Sequence, residues 1–366
     1  MSEEAEQNFV VGIFGDNFEL RQLVGQAIGS PGTKSDIIFF NRLDSAHNHV
    51  FCALTPVEYP EKVKPFLQTL SISNIYVLVI DPNTQLNAVI GEILVGMDLY
   101  HKLYHTESLI VIVGVDSKNE WALPELKNKL LKILSTTSLK ATKIIDIRQK
   151  TDYEALKAEI IELGIKLSTD RDPNREYTKV MIDHSFPVKG IGTVILGVVE
   201  KGEVHVGQMV EIIGYEDINK KVIIKSIQKQ DRNFKAAGVG DRVGLALKGT
   251  ISADQISRDN LITTQGKFIP EKKIKAIVYI NQYYKPKGGS IKPNDGIQYF
   301  GLVDLKSSPL KFISGDEIFP GKSGKIEIQF DKRLFHDGTG LSGIITEMNK
   351  FNGSLRIVGH FQQISD

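Results

Sequence analysis

The rhythm of hydrophobic and polar positions changes along the chain. Up to residue 168, short apolar runs alternate with stretches of helical spacing. FVVGIF (9–14) predicts a short strand and Phe18 to Ile28 a helix. Ser35 to Phe40 and Val50 to Leu54 are strand-like, and Glu61 to Leu70 is helical. Ile75 to Ile80 is a buried-strand run. Leu86, Ile90, Ile93, Leu94, Met97 and Tyr100 then recur at helical spacing. LIVIVGV (109–115) is the strongest buried strand, and 121–135, 144–147 and 152–168 continue as helix, strand, helix. This alternation predicts an open α/β sheet covered on both faces.

Residues 169–177, TDRDPNREY, are charged and polar, contain a proline, and read as a linker. Beyond them helical periodicity fades. Short Val/Ile-rich runs appear instead, with Gly190, Gly192, Gly197, Gly202, Gly207 and Gly214 between them. That is the pattern of an antiparallel barrel. A second break, GKFIPEKK (266–273), precedes another β-rich stretch that ends near Ile364. The domains expected are an α/β unit over 1–170 and two β-barrels over 178–266 and 272–366.

Composition narrows the class. The chain has 366 residues, 41% hydrophobic and 24% charged, ordinary values for a globular protein with two or three cores. Its one cysteine, Cys52, excludes an internal disulfide and a multi-cysteine metal cluster, which suits a reducing, cytoplasmic setting. No apolar run reaches the roughly 18 residues of a membrane span, and the acidic, polar start, MSEEAEQ, reads as neither a signal peptide nor a transit peptide. The net charge of +1 hides an asymmetry. Residues 1–177 carry 18 Lys+Arg against 24 Asp+Glu, and residues 178–366 carry 27 against 20. An acidic partner is therefore drawn to the C-terminal half.

A nucleotide-binding α/β domain places a Gly-rich loop after its first strand. Backbone N–H groups, a lysine and a hydroxyl there hold phosphates. Here the loop reads Gly15-Asp16-Asn17-Phe18-Glu19-Leu20-Arg21-Gln22. Against G-x-x-x-x-G-K-[ST] only Gly15 fits. Leu20 takes the second glycine's place, Arg21 the lysine's and Gln22 the hydroxyl's. Asp16 and Glu19 set two carboxylates where phosphates would lie, and each repels them. The loop reads as a plain strand-to-helix connection; a variant loop with Arg21 on phosphate is the alternative. Two decoys fall away. Pro320-Gly321 is a turn between strands, and Gly190-Ile191-Gly192 opens a strand, not a helix.

Met181 to Ile212 reads MIDHSFPVKGIGTVILGVVEKGEVHVGQMVEI. With AAGVGDRVGLALKG (236–249) and Asp259-Asn260-Leu261-Ile262, it resembles the second-domain barrel of elongation factor Tu and SelB-type selenocysteine elongation factors. Lys272 to Ile364 looks like the third domain of that superfamily, with Phe319-Pro320-Gly321 at its usual turn. Gly32-Thr33 with Ser35-Asp36, Tyr59-Pro60, Leu70-x-Ile72-Ser73, Ile182-Asp183-His184 and Ser226-Ile227-Gln228 bring it nearest the small archaeal SelB-like factors of pyrrolysine-using methanogens. The resemblance covers nearly the whole chain. It implies a P-loop GTPase-like α/β domain followed by two translation-factor-type β-barrels. No SelB-type fourth domain is expected after the third.

The resemblance also says where nucleotide motifs belong. The loop before the second strand, Gly29 to Lys34, is very short and leaves little room for the first switch and its Mg²⁺-binding threonine. The second-switch motif D-x-x-G-H falls on Thr55-Pro56-Val57-Glu58-Tyr59. The guanine motif N-K-x-D falls on Val113-Gly114-Val115-Asp116, where only Asp116 survives. The G domain is thus expected to be degenerate, with Gly15, Arg21, Gln22 and Asp116 as vestiges, no catalytic residue and no cofactor. GTP with Mg²⁺ belongs to the alternative, a working GTPase with an unorthodox loop.

In the family, the second barrel holds the aminoacylated end of tRNA. The resemblance places that pocket on Asp183, His184, Phe186 and Arg242, a SelB-like set for an anionic side chain. The partners implied are tRNA or aminoacyl-tRNA and a ribosomal partner, with no DNA and no membrane. The residues alone leave another arrangement open: Phe186 in the barrel core, Asp183 pairing His184 at a strand edge, Arg242 on a solvated turn. A protein-interaction module with no RNA role is the further alternative. Lys220, Lys221, Lys225 and Lys229 read as a solvated face able to meet phosphates. His47 with His49 and His101 with His105 lack the companions of a metal site, and the latter pair reads as the polar end of a helix.

Overall fold

The structure, a computed structural model, describes residues 6–169, 177–350 and 353–364. Residues 170–176 of the expected linker lie outside the described residues. The chain divides into two compact units.

The first unit contains β1 (Gln7–Phe14), α1 (Phe18–Ile28), β2 (Ser30–Lys34), β3 (Ile37–Asp44), β4 (His49–Pro56), α2 (Val63–Ile72), β5 (Ile75–Ile80), α3 (Ala88–Tyr104), β6 (Glu107–Val113), α4 (Leu123–Leu134), β7 (Lys143–Ile147) and α5 (Asp152–Thr169). Its seven-stranded sheet has the order β2-β3-β4-β1-β5-β6-β7. The strands from β4 to β7 run parallel, and β2 and β3 add an antiparallel edge. α1 and α5 pack on one face over Phe9, Val11, Phe40 and Val77. α2 and α3 cover the other, where the Phe66 ring meets Phe14 edge-on at 5.4 Å. Two glycines set how closely the first pair of helices approaches. A Cβ on Gly25 would sit 2.4 Å from the Phe40 ring, and one on Gly164 would sit 2.2 Å from Phe9.

Asparagines start two of the helices. Asn17 Oδ1 accepts the Leu20 N–H at 3.2 Å, and Asn87 Oδ1 accepts the Ile90 N–H at 3.0 Å. One expectation changes: residues 30–34 are not a bare loop but an edge strand, with Ser30 opposite Asn41 and Pro31 opposite Phe40. Proline and glycine hide such a strand in the sequence, and only an edge tolerates them.

The second unit holds two closed six-stranded barrels. The first is made from β8 (Lys179–Val188), β9 (Gly192–Lys201), β10 (Val204–His205), β11 (Met209–Ile213), β12 (Lys220–Lys229), β13 (Arg232–Phe234), β14 (Ala236–Ala237), β15 (Arg242–Lys248) and β16 (Leu261–Thr263). Strands β11-β16-β8-β9-β15-β12 form the ring, closed by β11 on β12; β13 extends β12, and β10 pairs with β14. The other barrel is built from β17 (Ile269–Ile280), β18 (Tyr299–Val303), β19 (Lys306–Gly315), β20 (Ser323–His336), β21 (Ser342–Thr346) and β22 (Ile357–Gln363), in the order β17-β20-β19-β18-β21-β22. Alternation along each strand fills the interiors, with Ile182, Ile195 and Leu245 in one and Ile328, Phe330 and Phe361 in the other.

Charged groups tie the barrels together. The buried Lys179 of β8 lies 2.6 Å from Asp304, in the turn after β18, and 2.8 Å from Glu200 of β9. Burial alone would lower the Lys179 ammonium, but the two carboxylates outweigh it and hold it above its ordinary value. Lys201 reaches Asp337 at 3.0 Å, and Lys306 donates to Gly214 O at 2.7 Å.

Candidate functional site

The loop after β1 packs tightly on the sheet. A Cβ on Gly15 would lie 2.6 Å from the Val79 carbonyl oxygen. Arg21 packs beside Gly15, its Cγ 3.5 Å from where a Cβ there would lie, and sends its guanidinium to the end of β4 and the segment after it. It is 0% exposed. Its Nη1 donates to Pro56 O (2.5 Å) and Thr55 Oγ1 (3.2 Å), and Nη2 donates to Tyr59 O (3.0 Å). The guanidinium carbon lies 5.2 Å from the Phe18 ring centre. Burial lowers the Arg21 guanidinium to about 10, partly offset by Tyr59, Asp16 and Glu61. Gln22 is partly buried on α1.

Side-chain bonds link the loops after β1, β5 and β6. Asp16 accepts from Asn87 at 2.8 Å, and Asp81 accepts from Asn17 at 3.5 Å and from Asn83 Nδ2 at 3.0 Å. Asn119 donates to Asn83 Oδ1 at 3.2 Å and to Gly114 O at 3.0 Å. Asp116 closes its own turn, accepting the N–H groups of Lys118 (2.8 Å) and Asn119 (3.2 Å). These loops lie at the carboxyl ends of parallel strands, where open α/β sheets bind ligands. Here they present three carboxylates, Asp16, Asp81 and Asp116. Among the described residues, no hydrogen bond or ion pair joins Arg21 to Asp116.

On the first barrel, Asp183, His184 and Arg242 do come together. The β8–β9 register shifts between Ile182 and His184, and Asp183, 3% exposed, sits in that irregularity. Arg242 opens β15 and grips the carboxylate with two donors, Nε to Oδ2 at 3.1 Å and Nη2 to Oδ1 at 3.0 Å. His184 Nδ1 lies 2.6 Å from Oδ1, and Arg258 Nε donates to the Asp183 carbonyl at 3.1 Å. Burial alone would raise the Asp183 carboxyl, but Arg242 and His184 hold it below its ordinary value. So Arg242 is not on a solvated turn: its side chain is 11% exposed.

Phe186 is not barrel core either. It is 37% exposed. It lies opposite Val194, and Val194 opposite Ala246; His184 lies opposite Leu196, and Leu196 opposite Gly244. These rows alternate with the buried Ile195 and Leu245, so they face outward. Phe186, Val194 and Leu196 form a partly exposed apolar strip ending at the Asp183 cluster. The strip and Arg258 are not evident from motif spacing. Only the strand register brings them beside Asp183.

Lys229 leaves the expected solvated face. It is 9% exposed, 3.2 Å from Asp241 and 4.2 Å from the Phe234 ring centre. Lys221 and Lys225 are exposed. His47 lies 3.0 Å from Asp44, and His105 caps α3 in a left-handed conformation. Among the described residues, no group of three or more His, Cys, Asp or Glu side chains is placed to hold a metal ion, and no helix is long and apolar enough to cross a membrane.

Comparison with known proteins agrees with this architecture. Residues 192–257 match the family model for elongation factor Tu domain 2. An uncharacterized protein of Methanocaldococcus jannaschii is 31% identical over 334 residues, 90% of this chain and 92% of that protein. The selenocysteine-specific elongation factor of the same organism is 33% identical over 247 residues, 64% of this chain, which spans 51% of that relative. Among solved structures, translation elongation factor SelB of Methanococcus maripaludis, in complex with the GTP analogue GppNHp, gives a TM-score of 0.81 at 22% identity, over 99% of this chain and 80% of that one. A bacterial selenocysteine-specific elongation factor gives 0.78 at 18% identity, over 98% of this chain and 58% of that one. Those two likenesses establish the fold, while the sequence relatives and the barrel model carry the kinship. The chain belongs to the elongation factor Tu superfamily, as a SelB-like factor.

Proposed function

We propose that the first of the two barrels holds the aminoacylated 3′ end of a tRNA, and that the α/β domain takes no part in a GTP cycle. The observation that carries the first half is the Asp183 cluster at the end of an outward-facing apolar strip. A tRNA end offers a base with a flat face, phosphates, and an aminoacyl group. Phe186, Val194 and Leu196 supply a surface for the base. Arg242 supplies charge-assisted hydrogen bonds, and Asp183 fixes its orientation. One carboxylate faces one guanidinium and one imidazole, so the cluster is neutral or positive and suits an anionic aminoacyl side chain. The selenocysteine-specific relatives support that class of cargo.

Three features support the second half. Arg21, in the lysine position, is turned into the protein. Thr55 stands where the second switch carries its aspartate, and its hydroxyl donates to Ile13 O at 2.9 Å. Asp116 is engaged within its own turn.

Titration of the full chain with aminoacylated and deacylated tRNA tests the pocket. The charged species binds more tightly, and Arg242→Ala weakens that binding by roughly ten- to a hundredfold, the loss of one or two charge-assisted bonds. Arg242→Lys, which keeps the charge, separates lost recognition from lost folding. Equal affinity of a folded Arg242→Ala protein would rule the pocket out. A role confined to protein partners would show no RNA complex that weakens with salt.

A further inference from the structure

The chain from Thr55 to Tyr59 leaves the end of β4 and turns towards α2. Arg21 reaches it from the first turns of α1. Two of the three acceptors it uses, Pro56 O and Tyr59 O, are backbone carbonyls, so the contact fixes the path of the chain. The third, Thr55 Oγ1, passes the connection on to Ile13 O of β1. One guanidinium therefore joins α1, the ends of β1 and β4, and the loop before α2. The same segment is held elsewhere. The Val57 N–H donates to Asp36 O at 2.8 Å, the Tyr59 hydroxyl donates to Glu92 Oε2 at 3.1 Å, and the Tyr59 ring stacks on Phe66 at 4.5 Å.

The arrangement is an expensive way to fill space. Among the described residues no carboxylate lies within ion-pair distance of Arg21, and its Nε has no hydrogen-bond partner. A buried cation whose hydrogen bonds all go to neutral oxygens, with the Phe18 ring beside it and Asp16 and Glu61 acting only from a distance, carries a desolvation cost that an apolar side chain of similar length lacks. A methionine would occupy the same volume without that penalty. What it lacks is directional bonding to the segment.

We infer that Arg21 is an internal strut that holds Thr55–Tyr59 in one conformation, so that this stretch, at the carboxyl end of β4, does not switch. The inference rests on the reading that the α/β domain takes no part in a GTP cycle, is tested apart from it by the Arg21 variants, and stands whether or not the barrel binds an RNA end.

Hydrogen exchange of the full chain, followed by mass spectrometry over residues 54–62, tests it without any RNA present. The natural protein should exchange slowly there, at a rate unchanged by millimolar GTP with Mg²⁺. Arg21→Met should accelerate that peptide by about tenfold or more while peptides from β5 and β6 keep their rates. Arg21→Lys is the second variant in case Arg21→Met does not fold. One ammonium cannot span all three acceptors, so its acceleration should be smaller but measurable. Natural rates over 54–62 in the folded variants would overturn the strut. So would a change in that peptide of the natural protein when GTP and Mg²⁺ are added.

Discussion

Asp183 binds Arg242 through both carboxylate oxygens, at 3.1 and 3.0 Å, and shares Oδ1 with His184. One buried carboxylate thus positions two nitrogen-bearing side chains from different strands. Its loss should disturb the barrel as well as the pocket. Asp183→Asn should lower stability by about 3 kcal/mol, the scale for breaking a buried pair from one side. The folded-state carboxyl lies below its ordinary value. Its contribution is therefore complete above the unfolded value, roughly pH 3.9, and is lost as pH falls through the folded value. Urea unfolding should show a constant gap between the natural protein and Asp183→Asn from pH 7 to 5, narrowing only below about pH 4. A gap that closes between pH 7 and 5 would contradict the assignment.

Phe186 should be dispensable for folding and needed for binding. Phe186→Ala should change stability by less than about 1 kcal/mol, whereas Ile195→Ala, in the adjacent buried row, should lose about 2–5 kcal/mol. Aminoacyl-tRNA affinity should fall in the Phe186 variant. A large stability loss there would return Phe186 to the barrel core.

The two barrels should unfold together because Lys179 lies between Asp304 and Glu200. Lys179→Met leaves the Asp304 carboxylate buried without its cation and should cost about 3–5 kcal/mol. Adding Asp304→Asn should recover part of that loss, giving a non-additive double-mutant cycle in denaturant. Strictly additive effects would mean the pair is not coupled.

Glycines with opposite surroundings give a test of the α/β packing. Gly164→Ala places a Cβ 2.2 Å from Phe9 and should destabilise by about 1–3 kcal/mol. Gly91, in α3, has nothing within 4 Å of its added Cβ, so Gly91→Ala should stabilise by up to about 1 kcal/mol. Thermal melts of the two variants should move in opposite directions.

Much of this architecture is legible in the residues. β5 and β6 are continuous apolar runs because both faces of a central parallel strand are covered. The alternation around Ile195 and Leu245 marks a barrel wall in the same way. The rest depends on contacts between distant parts of the chain. Ser30–Lys34 carries no strand pattern, and β3 makes it one. Lys229 has the composition of a solvated residue, but Asp241, twelve positions on, provides the charge that lets it be buried. Arg21 in a failed phosphate loop looks like a surface cation. Its acceptors are mostly backbone carbonyls, which no side-chain motif encodes. The strip from Phe186 to Leu196 becomes visible only when the β8–β9 register is known.

The most direct test of the account is equilibrium binding of aminoacylated tRNA to the full chain, in nucleotide-free buffer and again with millimolar GTP and Mg²⁺. Charged tRNA should bind with the same Kd in both conditions, with no guanine nucleotide bound. Binding that appears only with GTP, or none in either buffer, would contradict it.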